Sequence, residues 1–226
     1  ILAVLRSTAR QLFPHSGRED WNSIHVGRSS KGPIVLFRRG NQGQYFVNLN
    51  TGNRFWCQYA FQFSHEIGHI LCGYREGDQS NHWFEETLCE TASLFALNKL
   101  SEDWKTNPPY SNWKSYAGAF EKYARERIEK HPWPKGVSMA EWFQKEKENL
   151  AKNATDRERN LMVAIRLLPF FENEPTGWTA VSALNTKKDK KKRRFETYLH
   201  DWKEGCKTDE HRNFVGKISK AFGFDL

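Results

Sequence analysis

The chain has 226 residues, 38% of them apolar, and includes nine Trp and sixteen Phe. This is enough for a hydrophobic core without disulfide or metal staples, and the length fits one large domain or one and a half. No apolar run is long enough to form a membrane-spanning helix. The formal net charge is +8 with a pI near 9.3, but the excess is local. Residues 187–194, Lys-Lys-Asp-Lys-Lys-Lys-Arg-Arg, hold seven positive charges and one negative, a net of +6 out of the +8. The rest of the chain is close to balanced. A solvated loop is the simplest reading of such a run, with an anionic partner as the alternative. No aromatic interleaving or nucleic-acid module accompanies it, which argues against nucleic acid. The chain begins at Ile1 rather than Met, as a fragment or processed product would. That favours a secreted or periplasmic location slightly over a cytoplasmic one.

In chain order, residues 2–13 read as a short helix ending before Pro14, followed by an irregular polar stretch over 15–23. Ile24-His25-Val26 is a short strand. Residues 33–38 and 44–49 flank Gly40-Asn41-Gln42-Gly43, a hairpin signal. Thr51-Gly52-Asn53 turns the chain into a helix over 55–72, and a second helix covers 81–100. Asn107-Pro108-Pro109-Tyr110 breaks the chain. A helix over 112–131 ends at His131-Pro132-Trp133-Pro134. Ser138-x-x-Glu141 and Thr155-x-x-Glu158 are capping-box patterns that open two further helices. Pro175-Thr176-Gly177 is another break, and helices over 193–204 and 209–223 close the chain around Gly205. The expected fold class is α+β: a small N-terminal antiparallel sheet, then a mostly helical body. The break near residue 105 divides it into a sheet-bearing lobe, 1–105, and a helical lobe, 106–226, forming one unit.

The helix over 55–72 carries His65-Glu66-Ile67-Gly68-His69. Two histidines four residues apart lie on one helix face, one turn apart, which is the reach needed to hold one Zn²⁺. Glu66 is rotated by about 100° from His65 and stands beside the ion, where it can take a proton from a metal-activated water. Ala60, Phe63, Ile67 and Leu71 form the buried face of this helix. Gln58, Gln62, His65 and His69 form a polar stripe. Gly73 sits where a C′ glycine is expected, and Gly68 permits a close approach by another element.

A zinc site needs a third ligand and an open fourth position. In the helix over 81–100, Glu86 and Glu90 share a stripe with Trp83, Leu94 and Leu97, and buried carboxylates are costly unless paired or metal-bound. Glu86 is the expected third ligand. Glu90, one turn on, is the expected second-layer group that receives an imidazole N–H. Glu85 is the reserve ligand.

This pairing of H-E-x-x-H with a glutamate on a following helix resembles the gluzincin branch of the zincin metallopeptidases. Trp83-Phe84-Glu85-Glu86 resembles the W-x-x-E of aminopeptidase N-like enzymes, and Glu86-x-x-x-Glu90 resembles the E-x-x-x-D of thermolysin-like ones. The resemblance covers residues 44–97. It implies a zincin-like fold, zinc on His65, His69 and Glu86, Glu66 as general base, and a peptide or protein substrate lying against a sheet strand, for which 44–49 is the candidate. Sixteen residues separate His69 from Glu86, fewer than those families usually show. Gly73-Tyr74-Arg75 stands where a metzincin would have its third histidine, and no Gly-x-Met-Glu-Asn exopeptidase signature is present. Tyr74, His82, Tyr110, Tyr116 and His131 are the candidates for stabilising an oxyanion.

Cys57 and Cys72 share a helix about 22 Å apart and cannot pair. The pairings 57–89 with 72–206, or 57–206 with 72–89, remain open, although four cysteines do not demand disulfides. Cys72, on the zinc side of its helix, reads as a small buried filler. The favoured reading is a zinc metallopeptidase. The alternatives are a hydrolase of the same fold acting on another bond, and a catalytically silent binding module that uses residues 187–194 to engage an anionic partner.

Overall fold

A computed structural model describes residues 1–74, 79–187 and 192–226 of the chain. The middle of the basic run, 188–191, therefore lies outside the described residues. Among the described residues the protein is mostly helical with one three-stranded sheet, the α+β class expected. None of the described helices is long and apolar enough to cross a membrane.

Helix α1 (Leu2–Ala9) comes first, and a 3₁₀ turn at Phe13–His15 carries Pro14. The sheet follows, made of β1 (Ile24–Arg28), β2 (Ile34–Val35) and β3 (Tyr45–Leu49). The hairpin expected around residues 40–43 is present, with β2 antiparallel to β3 and Val35 opposite Val47. The expectation of a wholly antiparallel sheet is corrected. The strand order is β1-β3-β2, and β1 runs parallel to β3 with Val26 opposite Val47. β1 and β2 are consecutive, but β3 slots between them and meets β1 in parallel. Tyr45, Val47 and Leu49 alternate inward, as half-buried strand residues do.

The two long helices at the centre are α2 (Trp56–Leu71) and α3 (His82–Asp103). Ala60, Phe63, Ile67 and Leu71 are buried on α2, as their spacing requires. Gly73 adopts φ +65 and ends the helix as a C′ glycine. Tyr74 N–H donates to His69 O and Gly73 N–H to Ile70 O, the two bonds of a Schellman motif. Helix α3 is buried on nearly every side and forms the axis of the body; apolar residues all round it suit that position.

A 3₁₀ turn (Ser111–Tyr116) leads into α4 (Ala117–Glu129), followed by α5 (Met139–Lys152) and α6 (Arg157–Asn173). The Ser138–Glu141 capping box on α5 is formed in both directions. The second capping box is displaced by one residue. Asp156, not Thr155, caps α6 and accepts the Arg159 N–H, while its carboxylate also holds the Arg159 guanidinium. A short helix, α7 (Gly177–Val181), follows directly on the Pro175 break, then α8 (Phe195–Gly205) and α9 (Asp209–Ala221). One continuous hydrophobic cluster runs from Val4 through α2 and α3 to Phe222.

The contact that positions the centre of the molecule is α2 against α3. A Cβ built on Gly68 would lie 2.8 Å from Cys89 Cα and 3.0 Å from its Sγ, so the helices meet backbone to backbone there. Gly68→Ala should therefore destabilise the fold by about 1–3 kcal/mol, read as a lower urea midpoint. Gly216→Ala, at an open position inside α9 with nothing within 4 Å of a new Cβ, should raise stability by about 0.5–1 kcal/mol.

Candidate metal centre

Along α2 the partly exposed positions after Trp56 are Gln58, Gln62, His65 and His69, the stripe expected from their spacing. Along the first four turns of α3 they are His82 and Glu86, also one turn apart. The two stripes face each other across the Gly68–Cys89 crossing. His65 Nε2 lies 3.3 Å from Glu86 Oε2, and His69 Nε2 lies 3.7 Å from Glu86 Oε1. His82 Nε2 is 3.2 Å from the same Oε1. Glu86 is thus the convergence point of three imidazoles.

The other ring nitrogens turn towards different carboxylates. His65 Nδ1 is 3.6 Å from Glu90 Oε1. His69 Nδ1 donates to Glu85 Oε1 at 2.7 Å, since a carboxylate can only accept. Glu85 is held in turn by Asn185 Nδ2 at 2.6 Å, and Asn185 Oδ1 accepts from Tyr198 at 2.9 Å. Glu90 lies behind His65, at a separation longer than a hydrogen bond. Glu85, the reserve ligand, instead backs His69. Nothing in the local pattern marks Asn185 and Tyr198 as its supports, because they come from the far end of the sequence.

Glu66 is almost fully buried and shares a cavity of about 300 Å³ with His65, His69, His82 and Glu86. The Val35 N–H of β2 faces its carboxylate and favours the ionised form. Pro33, Ile34, Val35 and Phe37 form one wall of this cavity. The strand proposed for substrate, 44–49, is β3, which is paired on both sides. The free edge at the cavity belongs to β2. Of the oxyanion candidates, Tyr74 and His82 line this cavity. His131 lines an adjoining one. Tyr110 packs on Trp113 and Tyr116 on Trp56 and Trp104 elsewhere, and Tyr116 also bonds Cys57.

The charges compensate one another. Burial works against a charged His69, but the hydrogen bond and charge of Glu85, with Glu86 and Glu66, outweigh it and push it up to about 10. His65 and His82 are raised in the same way, burial being overcome mainly by Glu86. Glu86 is held well below the usual carboxylate range: burial opposes this, but hydrogen bonds from His65 and His82 prevail. Glu66 moves the other way, raised by burial against the pull of His65 and His69. Glu90 is raised by burial too, and its Oε2 is buried without a hydrogen-bond partner.

These residues fit a metal ion. Glu86 approaches the two ring nitrogens through separate oxygens, at 3.3 Å and 3.7 Å. His65, His69 and Cys89 have their donor atoms within 4.8 Å of one another and could also hold a metal ion. Cys89 is fully buried against Gly68, its thiol is raised well above its ordinary range by burial and by Cys72, and it lines neither cavity. Glu86, by contrast, lines the cavity together with His65 and His69.

No family model, characterised protein or solved structure matches this chain. The reading of the centre therefore rests on its own geometry.

All four cysteines are free and buried, so neither pairing left open by the sequence is formed. The native chain should accordingly consume little DTNB, and all four thiols should titrate once it is unfolded.

Proposed function

We propose that the chain is a zinc-dependent metallopeptidase of the gluzincin type, with the zincin-like architecture that this implies. The observation that carries the reading is the double allegiance of the two helix histidines. Each turns Nε2 to Glu86 and Nδ1 to a separate carboxylate, Glu90 or Glu85. A carboxylate behind each imidazole fixes its tautomer and raises its basicity, as metal-binding histidines require. A structural zinc site would be closed by four protein ligands and would need no base. Here Glu66 lines the same cavity.

His65, His69 and Glu86 would hold the ion. When bound, zinc supplies a Lewis acid that polarises a peptide carbonyl and acidifies water. Glu66 performs the proton transfers. Its carboxyl, raised by burial, takes a proton from the attacking water and delivers it to the leaving nitrogen as the C–N bond breaks. The Val35 N–H of β2 faces that carboxylate. His82 and Tyr74 line the cavity beside it, with His82 Nε2 turned to Glu86 and the Tyr74 hydroxyl donating to the Leu36 carbonyl. The outer edge of β2 offers backbone groups to an extended peptide. Glu85 and Glu90 hold the ligand rings.

Elemental analysis tests the ligand set. Wild type should carry a single zinc ion, lost in Glu86→Ala and retained in Cys89→Ala. Loss in Cys89→Ala alone would transfer the third position to sulfur, and a wild type that takes up no zinc would end the reading. Glu66→Gln should keep the metal and lose about 10²–10⁴-fold in peptide hydrolysis. Glu85→Gln and Glu90→Gln should each weaken zinc binding by about 10–100-fold, measured by competition with a chelator.

A further inference from the structure

Beside the metal centre, on the other side of His65, lies a second cavity of about 260 Å³. The two cavities share Pro33, His65 and Arg157, so they form one cleft with the histidine between its halves. The halves differ in character. The half beyond β2 is walled by Ile34 and Phe37, which are 48% and 56% exposed. The other half presents Arg127 and Arg157, with His131 beside them.

Among the described residues neither arginine has an ion-pair partner. Arg127 lies 3.8 Å over the Phe61 ring and 4.7 Å from the Tyr123 ring, and it donates through Nη2 to Tyr123 Oη at 2.7 Å. Stacking against two rings fixes the plane of the guanidinium, and its Nε has no hydrogen-bond partner. Arg157 is the first residue of α6, is exposed, and lines both cavities.

Two acidic groups face the same space. Glu90 is buried and turned to His65, and Glu158 is largely exposed and lies 3.1 Å from His131 Nε2. His131 Nδ1 is spent on the Arg127 carbonyl. Both acids are therefore engaged with imidazoles; Glu90 feels the charge of Arg127 and Arg157, but among the described residues no carboxylate forms an ion pair with either guanidinium. Guanidinium groups held in this way suit a carboxylate, which they bind by charge-assisted, forked hydrogen bonds.

We propose that Arg127 and Arg157 form a carboxylate-binding subsite, and that the substrate peptide carries an anionic group on the His131 side of its scissile bond. The role in substrate choice rests on the metallopeptidase reading; the binding of a carboxylate does not. The group could be an Asp or Glu side chain or the peptide's own C-terminus, since both present the same two oxygens.

The test separates these sources and separates the subsite from the chemistry. Fluorescein-labelled alanine peptides, with one Glu moved through the sequence and a matching Gln set, are made with free-acid and amide C-termini. Their binding to the full chain carrying Glu66→Gln is measured by anisotropy, which needs no turnover. At the right position, the Glu peptide should bind about tenfold more tightly than its Gln partner, the size of one charge-assisted contact. Adding Arg157→Ala should collapse that ratio, and Arg127→Lys should reduce it while keeping the charge. A preference that follows the free acid instead of Glu assigns the subsite to the C-terminus. If acid and neutral peptides bind alike, or if the preference survives both arginine substitutions, the proposal is overturned and the arginines serve only as counter-charges to Glu90. Should Arg127→Lys fail to fold, the exposed Arg157 decides alone. Wild-type cleavage without any acid preference would sink the subsite and leave the peptidase. Arginine-dependent binding without cleavage of any peptide would do the reverse.

Discussion

The structure depends on the approach of two backbones. At Gly68 the α2 helix has no side chain, and the Cα of Cys89 on α3 fills the space. Side chains one turn to either side are then brought within hydrogen-bonding range across the gap. With any larger residue at position 68, the helices would separate by the thickness of a methyl group or more, and Glu86 could no longer meet His65 and His69 together. A packing constraint thus sets the geometry of a polar cluster.

That cluster is costly to bury. His65, His69, His82, Glu66, Glu85, Glu86 and Glu90 crowd a space that is mostly shielded from water. Buried ion pairs are weak evidence for stability, because desolvation opposes their attraction. The imidazoles face the carboxylates here, and the apolar body carries the load: Trp83, Phe84, Phe95 and Leu88 on α3 are completely or almost completely buried around the same helix. Unequal environments divide the four glutamates between tasks. Glu86 meets three imidazoles and stays ionised, whereas Glu66 is dominated by burial and sits closer to neutrality.

Much of this centre is legible in the sequence, because it is written in helical periodicity. The stripe at 58, 62, 65 and 69, the glycine that stops α2 and the placing of Glu90 behind His65 all follow from residues three or four apart. Glu85 and Glu86 are harder to assign. They differ by a rotation of about 100° on the helix, and only the direction from which α2 arrives decides which one meets the histidine tips and which one backs a ring. Thr155 and Asp156 are both competent caps, and the carboxylate prevails because it also holds the Arg159 side chain. The sheet order was beyond local pattern, since the pairing of β1 with β3 is made across the intervening strand. The same holds for Arg127 and Arg157, which reach the cleft from α4 and from the start of α6. No periodicity within either segment records what lies opposite.

The mixed sheet has a consequence for behaviour at high concentration. A three-stranded sheet leaves two edges open, and an open edge is a template on which a second molecule can grow. Here one edge is a strand only two residues long, preceded by Pro33, which has no N–H to offer. The Val35 N–H on this edge faces the buried Glu66 carboxylate. The opposite edge, β1, ends in Gly27 and the charged Arg28, a poor continuation for an intermolecular ladder. The chain can therefore keep strand backbone open beside its cleft on an edge too short to serve as a long template for a second copy.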